Sequence, residues 1–221
     1  MIACQRCPEL RAYCAAVAKE KRRAYSDEEY WGKPVPGFGD PRARILLVGL
    51  APGAHGSNRT GRMFTGDASG TWLYRALHKA GLASSPKAIG CDDGLTLIDT
   101  FITAAGRCAP PGNKLTPQQA ANCRPFLAEE FRLLRTLQVV VGIGAVGFRA
   151  AIDLLRSEGF ALDPPRPKFA HGAEVIAHNA QRTMHVIATY HVSQQNTSTG
   201  VLTEPMLNAI FARAVALLVP H

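Results

Sequence analysis

Residues 51–70, APGAHGSNRTGRMFTGDASG, carry five glycines, one aromatic ring (Phe64), one imidazole (His55) and one carboxylate (Asp67). Glycines let backbone amides come close to a phosphate or a base. This loop has neither the G-x-x-x-x-G-K-[ST] arrangement of a triphosphate-binding loop nor a G-x-G-x-x-G run. Asp67 is the sole acid between Asp40 and Asp92. It reads either as a catalytic carboxylate or as the cap of a helix starting near Gly70. Two further polar stretches could work beside it: Gly106–Lys114, which contains Asn113, and His191–Thr197, HVSQQNT. His191 reads as a proton or hydrogen-bond donor, or as a structural imidazole. Phe64 reads as core or as a stacking surface.

The six cysteines stand at positions 4, 7, 14, 91, 108 and 123. Cys4 and Cys7 form a C-x2-C pair, whereas fourteen residues separate Cys108 from Cys123. A zinc ribbon would need a second C-x2-C, which is missing. Four thiolates so unevenly spaced suit a [4Fe–4S] cluster, whose sulfurs need only converge in space. Cys123 also fits the apolar stripe of Ala120, Leu127, Phe131 and Leu134 and could pack as a small hydrophobe. Cys14 and Cys91 read as structural. The first seven residues lack the apolar segment of a secretory signal, so a cytoplasmic chain without a disulfide framework is expected. No apolar run approaches the ~20 residues that cross a bilayer, so no membrane partner is expected. Lys and Arg number 25 against 17 acids, a net charge of +8 that favours a polyanionic partner.

The elements that must position these residues alternate. Strand patterns over 44–50, 97–104, 139–143 and 185–190 are separated by helical periodicity over 8–24, 71–80, 116–135 and 145–158, with a final helix after Thr203. Thr116 and Gln119 form a capping box with Pro117 at the first helical position. Residues 31–42 read as loop, and 163–183 as a small hairpin or irregular excursion. The fold class is α/β: a three-layer α/β/α arrangement around a four-stranded parallel sheet, in one domain spanning 1–221. Such sheets bind ligands beyond the carboxyl ends of their strands, where the three polar stretches fall.

The segments Gly49–Gly56 (GLAPGAHG), Asn58–Arg62 (NRTGR), Phe64–Asp67 (FTGD) and His191–Thr197 together resemble the uracil-DNA glycosylase superfamily, and within it the iron–sulfur branch called family five or type B. The resemblance runs from Cys4 to the last helix. It implies a [4Fe–4S] cluster on Cys4, Cys7, Cys108 and Cys123, and excision of deaminated bases from DNA; a monomer is the expected state. It further implies that Asp67 orients water and stabilises a sugar cation, that Asn113 positions water or base, and that His191 donates to the leaving base. Phe64 would stack on the flipped base, with Gly53, Ala54 and His55 beside it. Ser69, Gly70 and Ser193 would hold phosphates, and Gln194, Gln195 and Asn196 would enter the minor groove. Two positions depart from the related type A branch: Leu50 stands where that branch has an acid, and Ala104 where it has a uracil-reading asparagine. Type B enzymes share this depletion and accept hypoxanthine and other damaged bases. A non-catalytic iron–sulfur module for nucleic acid or redox sensing would also account for charge and cysteines. A nucleotide-binding enzyme would account only for the glycine loop.

Overall fold

Strands β2 (Ile45–Gly49) and β4 (Val139–Ile143) are apolar without interruption because helices cover both their faces, and all their residues are buried. The two pair in parallel; β3 (Thr100–Ala104) adds in parallel beside β2, and β7 (Thr183–Thr189) beside β4. This computed structural model describes residues 1–219.

The expectation of a four-stranded parallel sheet needs correction. The sheet has seven strands among the described residues, in the order β1-β3-β2-β4-β7-β6-β5, and it is mixed. The two-residue β1 (Phe38–Gly39) pairs antiparallel with β3, and β6 (Glu174–His178) pairs antiparallel with β7 and with β5 (Ala161–Asp163). Strand β1 lies in the stretch read as loop, β6 in the one read as a small hairpin or irregular excursion, and β5 almost wholly just before it. β1 is too short to show a period, while β6 alternates exposed and buried residues, as befits a strand near the sheet margin. The second expected strand also starts late, at Thr100 rather than Leu97. Asp99 has a left-handed φ of 54°, and its carboxylate pairs with Arg44 at the foot of β2.

Helices α3 (Ala68–Lys79) and α7 (Glu204–Ala216) supply the core on one face through Tyr74, Leu77 and Phe211. On the other face α4 (Pro117–Leu133) and α5 (Gly144–Ser157) contribute Phe131, Phe148 and Leu155. The three layers are therefore as expected. Helix α1 (Pro8–Glu20) lies outside them, and α2 (Ser57–Thr60) and α6 (Gln194–Ser198) are single turns in the polar loops. The capping box of α4 forms: Thr116 Oγ1 accepts from Gln119 N at 3.2 Å, and Thr116 N donates to Gln119 Oε1 at 3.0 Å. No helix among the described residues is long and apolar enough to cross a membrane.

The sheet and α5 approach each other through glycine. A Cβ on Gly147 would sit 2.1 Å from Val48 O, and one on Gly142 would sit 2.4 Å from Phe148 Cα. Neither obstacle is a flexible side chain. Gly147→Ala should therefore cost about 2–3 kcal/mol of unfolding free energy by urea titration. Gly90→Ala, where a Cβ meets nothing within 4 Å, should stay within about 0.5 kcal/mol of the parent.

Candidate active site

The carboxyl ends of β2, β3, β4 and β7 open into one cleft of about 650 Å³, walled at its floor by Leu50, Ala104, Ile143 and His191. The 51–70 loop folds back over this floor. Its one aromatic, Phe64, takes a left-handed φ of 55°, which turns the ring down onto Gly49. A Cβ on Gly49 would lie 2.7 Å from that ring, so only glycine lets the ring close this wall. The Phe64 and His191 ring centroids are 6.4 Å apart, with planes tilted by 36°.

Asp67 is the N-cap of α3, and its Oδ1 accepts from Gly70 N at 3.1 Å. Capping and presence in the cleft are thus properties of one side chain. Its other oxygen, Oδ2, sits over glycines: a Cβ on Gly56 would be 2.5 Å from it, and one on Gly53 3.1 Å. Asp67 is open to solvent along the cleft, yet its carboxyl is crowded by protein. That crowding raises its pKa above the ordinary carboxylate value, against the opposing pull of the Gly70 and Ser69 amides, His191 and Arg59. Burial lowers the pKa of His191, with Asp67 opposing, so the imidazole is neutral at neutral pH. The residues flanking His191 are tied down. Asn196 Nδ2 donates to His191 O at 2.8 Å, and Tyr190 N donates to His171 Nδ1 at 3.3 Å. Gly144, with φ of 75°, clears the space His191 occupies, since a Cβ there would meet His191 Cβ at 3.0 Å.

The cleft brings together Gly53, Phe64, Asp67, Ser69, Asn113, His191, Ser193, Gln194 and Gln195. Four residues grouped with them in the sequence are placed elsewhere. Ala54 packs toward Leu10, Cys14 and Cys108, and His55 Nδ1 meets Tyr30 OH at 3.0 Å. The reason is the tight turn at Gly53, whose carbonyl accepts from Gly56 N and Asn58 N at 3.2 and 3.0 Å and reverses the chain away from the cleft. Gly70 is buried behind Asp67, where a Cβ would strike Phe64 O at 1.9 Å. Asn196 holds the His191 carbonyl. Sequence reading also passed over Gly144, Ala145 and Val146, which line the cleft where α5 starts. Their signal was legible: Gly142–Gly147 reads GIGAVG, a G-x-G-x-x-G run that spans the end of β4 and the start of α5. Here its first and third glycines serve helix–sheet packing and its second makes room for His191.

A second, much smaller cavity lies at the N-terminus. Cys4, Cys7, Cys108 and Cys123 all border it, together with Leu10, Arg107 and Phe126. Cys7 is the N-cap of α1, and its Sγ accepts from Asn122 Nδ2 at 3.2 Å. Asn122 Nδ2 also donates to Arg6 O at 3.2 Å, which fastens the C-x2-C segment to α4. Cys14 is wholly buried against this cluster, as a packing thiol should be. Cys91 is exposed, its Sγ donating to Thr60 O at 3.2 Å, so it fills no core. Among the described residues, no three Cys, His, Asp or Glu side chains are grouped closely enough to hold one metal ion.

Residues 36–214 match the family model of the uracil DNA glycosylase superfamily. The chain belongs to this superfamily, whose members are hydrolases. Within it the chain is similar to the Type-5 uracil-DNA glycosylase of Thermus thermophilus, at 48% identity over 97% of this chain and 93% of the relative. The Type-5 enzyme of Mycobacterium bovis is 46% identical over 96% of this chain and 76% of the relative, and that of Pyrobaculum aerophilum 41% identical over 98% and 89%. A Type-4 uracil-DNA glycosylase of Pyrobaculum aerophilum is 27% identical over 86% of this chain.

The crowding of Asp67 has a measurable cost. A carboxyl whose folded pKa lies above its unfolded one favours the folded state below the unfolded pKa, and that benefit is lost as pH rises through the folded pKa. At neutral pH its ionised form therefore works against the fold. Asp67→Asn keeps a good helix cap and removes that burden. Its urea midpoint at pH 7 should equal or exceed that of the parent.

Proposed function

We propose that this protein is a DNA glycosylase that draws uracil, and other deaminated bases such as hypoxanthine and xanthine, out of DNA and hydrolyses the N-glycosidic bond. The observation carrying this reading is the meeting of Asp67, His191 and Phe64 in one cleft large enough for an extruded nucleobase.

A base stacked in a duplex cannot be reached, so the nucleotide is flipped at a cost of a few kcal/mol. The net charge of +8 supplies affinity that ignores sequence. Ser69, Ser193 and the amides where α5 begins face the cleft and are placed to take phosphates. Gln194 and Gln195, exposed on α6, are the side chains that enter the groove beside the vacated site. Phe64 stacks on the flipped base, a contact of about 1–3 kcal/mol that accepts any π-face. Ala104 offers only a methyl group at the floor, so no side-chain amide there distinguishes uracil from a purine. This supports a broad substrate range.

In the chemical step the C1′–N bond breaks and its electron pair leaves with the base. Neutral His191 donates a hydrogen bond to a carbonyl oxygen of that base, where negative charge develops. Asp67, its pKa raised by burial, is a stronger base than a free side chain and faces the cationic sugar. It orients the water whose oxygen bonds to C1′. The water's proton passes to the carboxylate and, in the net reaction, to the base. Asn113, at the lip of the cleft, helps place that water. Leu50, beside it, has no proton to exchange.

The donor set of the N-terminal cavity fits a [4Fe–4S] cluster on Cys4, Cys7, Cys108 and Cys123. A cube takes one thiolate at each of four corners, so its ligands stand wider apart than those of a single ion. Its contribution is structural, linking α1 to the β3–α4 loop and to α4, because hydrolysis moves no electrons. Cys7→Ser should lose iron and the brown visible absorbance; a parent protein that purifies with zinc, or with no metal, would refute this assignment.

The central test is a panel of oligonucleotides carrying uracil, hypoxanthine or xanthine in single and double strands. The parent should release uracil and at least one purine. Asp67→Asn should bind DNA normally while losing most release, and His191→Ala should slow uracil release by about 10²-fold. Undiminished release by Asp67→Asn would remove the water-orienting role.

A further inference from the structure

Arg59 is almost entirely buried, at 8% exposure, yet it lines neither the cleft nor the cysteine cavity. Burying a guanidinium is costly unless its donors are used. All its groups are used. Nε donates to His55 O at 2.9 Å, Nη2 donates to Gly66 O at 2.9 Å, and Nη1 pairs with the Glu28 carboxylate. Its guanidinium carbon lies 3.8 Å from the centre of the Tyr25 ring.

The two carbonyls it grips have distinct meanings. His55 belongs to the turn that carries the chain away from the cleft, and the Gly66 carbonyl belongs to the peptide leading directly into Asp67. Gly66 has φ of 78°, and a Cβ there would lie 2.7 Å from Arg59 Nη2. A glycine thus stands where the guanidinium must reach the carbonyl. Both anchors on the far side, Tyr25 and Glu28, come from the segment that follows α1. That segment is joined to α2 again where Trp31 N donates to Arg59 O at 2.8 Å and Gly32 N to Asn58 O at 3.0 Å.

We infer that Arg59 is a positioning residue: it locks the peptide entering Asp67 and ties the catalytic carboxylate to the segment between the cysteine-bearing helix and the sheet. It touches no substrate. The groups that face Asp67 are the Gly70 and Ser69 amides of α3, His191 from the loop after β7, and Arg59 itself. Arg59 is the permanent cation among them, so its charge favours the ionised carboxylate, and Glu28 offsets part of that charge.

The inference rests on the glycosylase reading, and two variants separate the two. Arg59→Gln frees the Gly66 carbonyl and removes the cation. It should lower the rate constant for uracil release in single turnover by about 10²-fold, with DNA affinity within about two-fold. The acid limb of its pH–rate profile should move to higher pH. Glu28→Gln, at a side chain 48% exposed, leaves Arg59 in place with its charge less offset. Its acid limb should move the opposite way, to lower pH. Opposite shifts support the inference. Unchanged limbs, or shifts of the same sign, with an active parent, overturn it, and Glu28→Gln decides alone if Arg59→Gln does not fold. A parent that releases no uracil would instead refute the proposed function before either variant is compared.

Discussion

One contact organises this molecule: the Asp67 carboxylate accepting from Gly70 N at 3.1 Å. It starts helix α3, and the same atoms stand in the cleft beside His191. Helix caps are common, and what distinguishes this one is that glycines without side chains pack closely around it. Gly53 and Gly56 leave the space that Oδ2 needs, and Gly70 lets α3 begin against the Phe64 carbonyl. Three of the loop's glycines therefore serve a carboxylate and the ring next to it.

The electrostatics of the cleft follow from crowding. Leu50, Met63, Ala104 and Ile143 line it with apolar atoms. In that setting the charged form of each titratable group is disfavoured: Asp67 is pushed up and His191 down. The two shifts suit a reaction that separates charge. A neutral imidazole can donate to a departing anion without losing a proton to its neighbour. A carboxylate held back from protonation only weakly is well placed to take up a proton from water. Their mutual attraction opposes both shifts without abolishing either.

The cleft depends on the N-terminal segment for more than shape. Asn58 Nδ2 donates to Cys14 O at 3.4 Å and to Ala54 O at 3.3 Å, which joins α1 to the turn below the cleft. Buried Arg107, next to Cys108, pairs with Glu130, and Glu130 Oε2 also accepts from Thr103 Oγ1 of β3 at 2.6 Å. The cysteine cavity and the cleft therefore share the end of β3 and the 51–70 loop. Side chains that hold one region in place also hold the other.

Much of this was legible in the chain. The uninterrupted apolar runs of β2 and β4, the Thr116 capping box and the singular Asp67 were readable because each is a local pattern with a local cause. The outer strands were legible only in part: a hairpin was one of two readings of 163–183, β1 is two residues long, and pairing across β5, β6 and β7 depends on partners outside each segment. The same limit applies to the site. Residue types and spacing nominated Phe64, Asp67, Asn113 and His191, but Ala54 and His55 entered with the family resemblance, and the turn at Gly53 sends them to the other side. The sequence by itself determined the layers and the chemical repertoire, because periodicity and side-chain chemistry belong to single segments. Only the tertiary structure decided which members of that repertoire meet, because convergence is set by how the carboxyl ends of the parallel strands stand together and by the glycines that let rings and carboxylates pass.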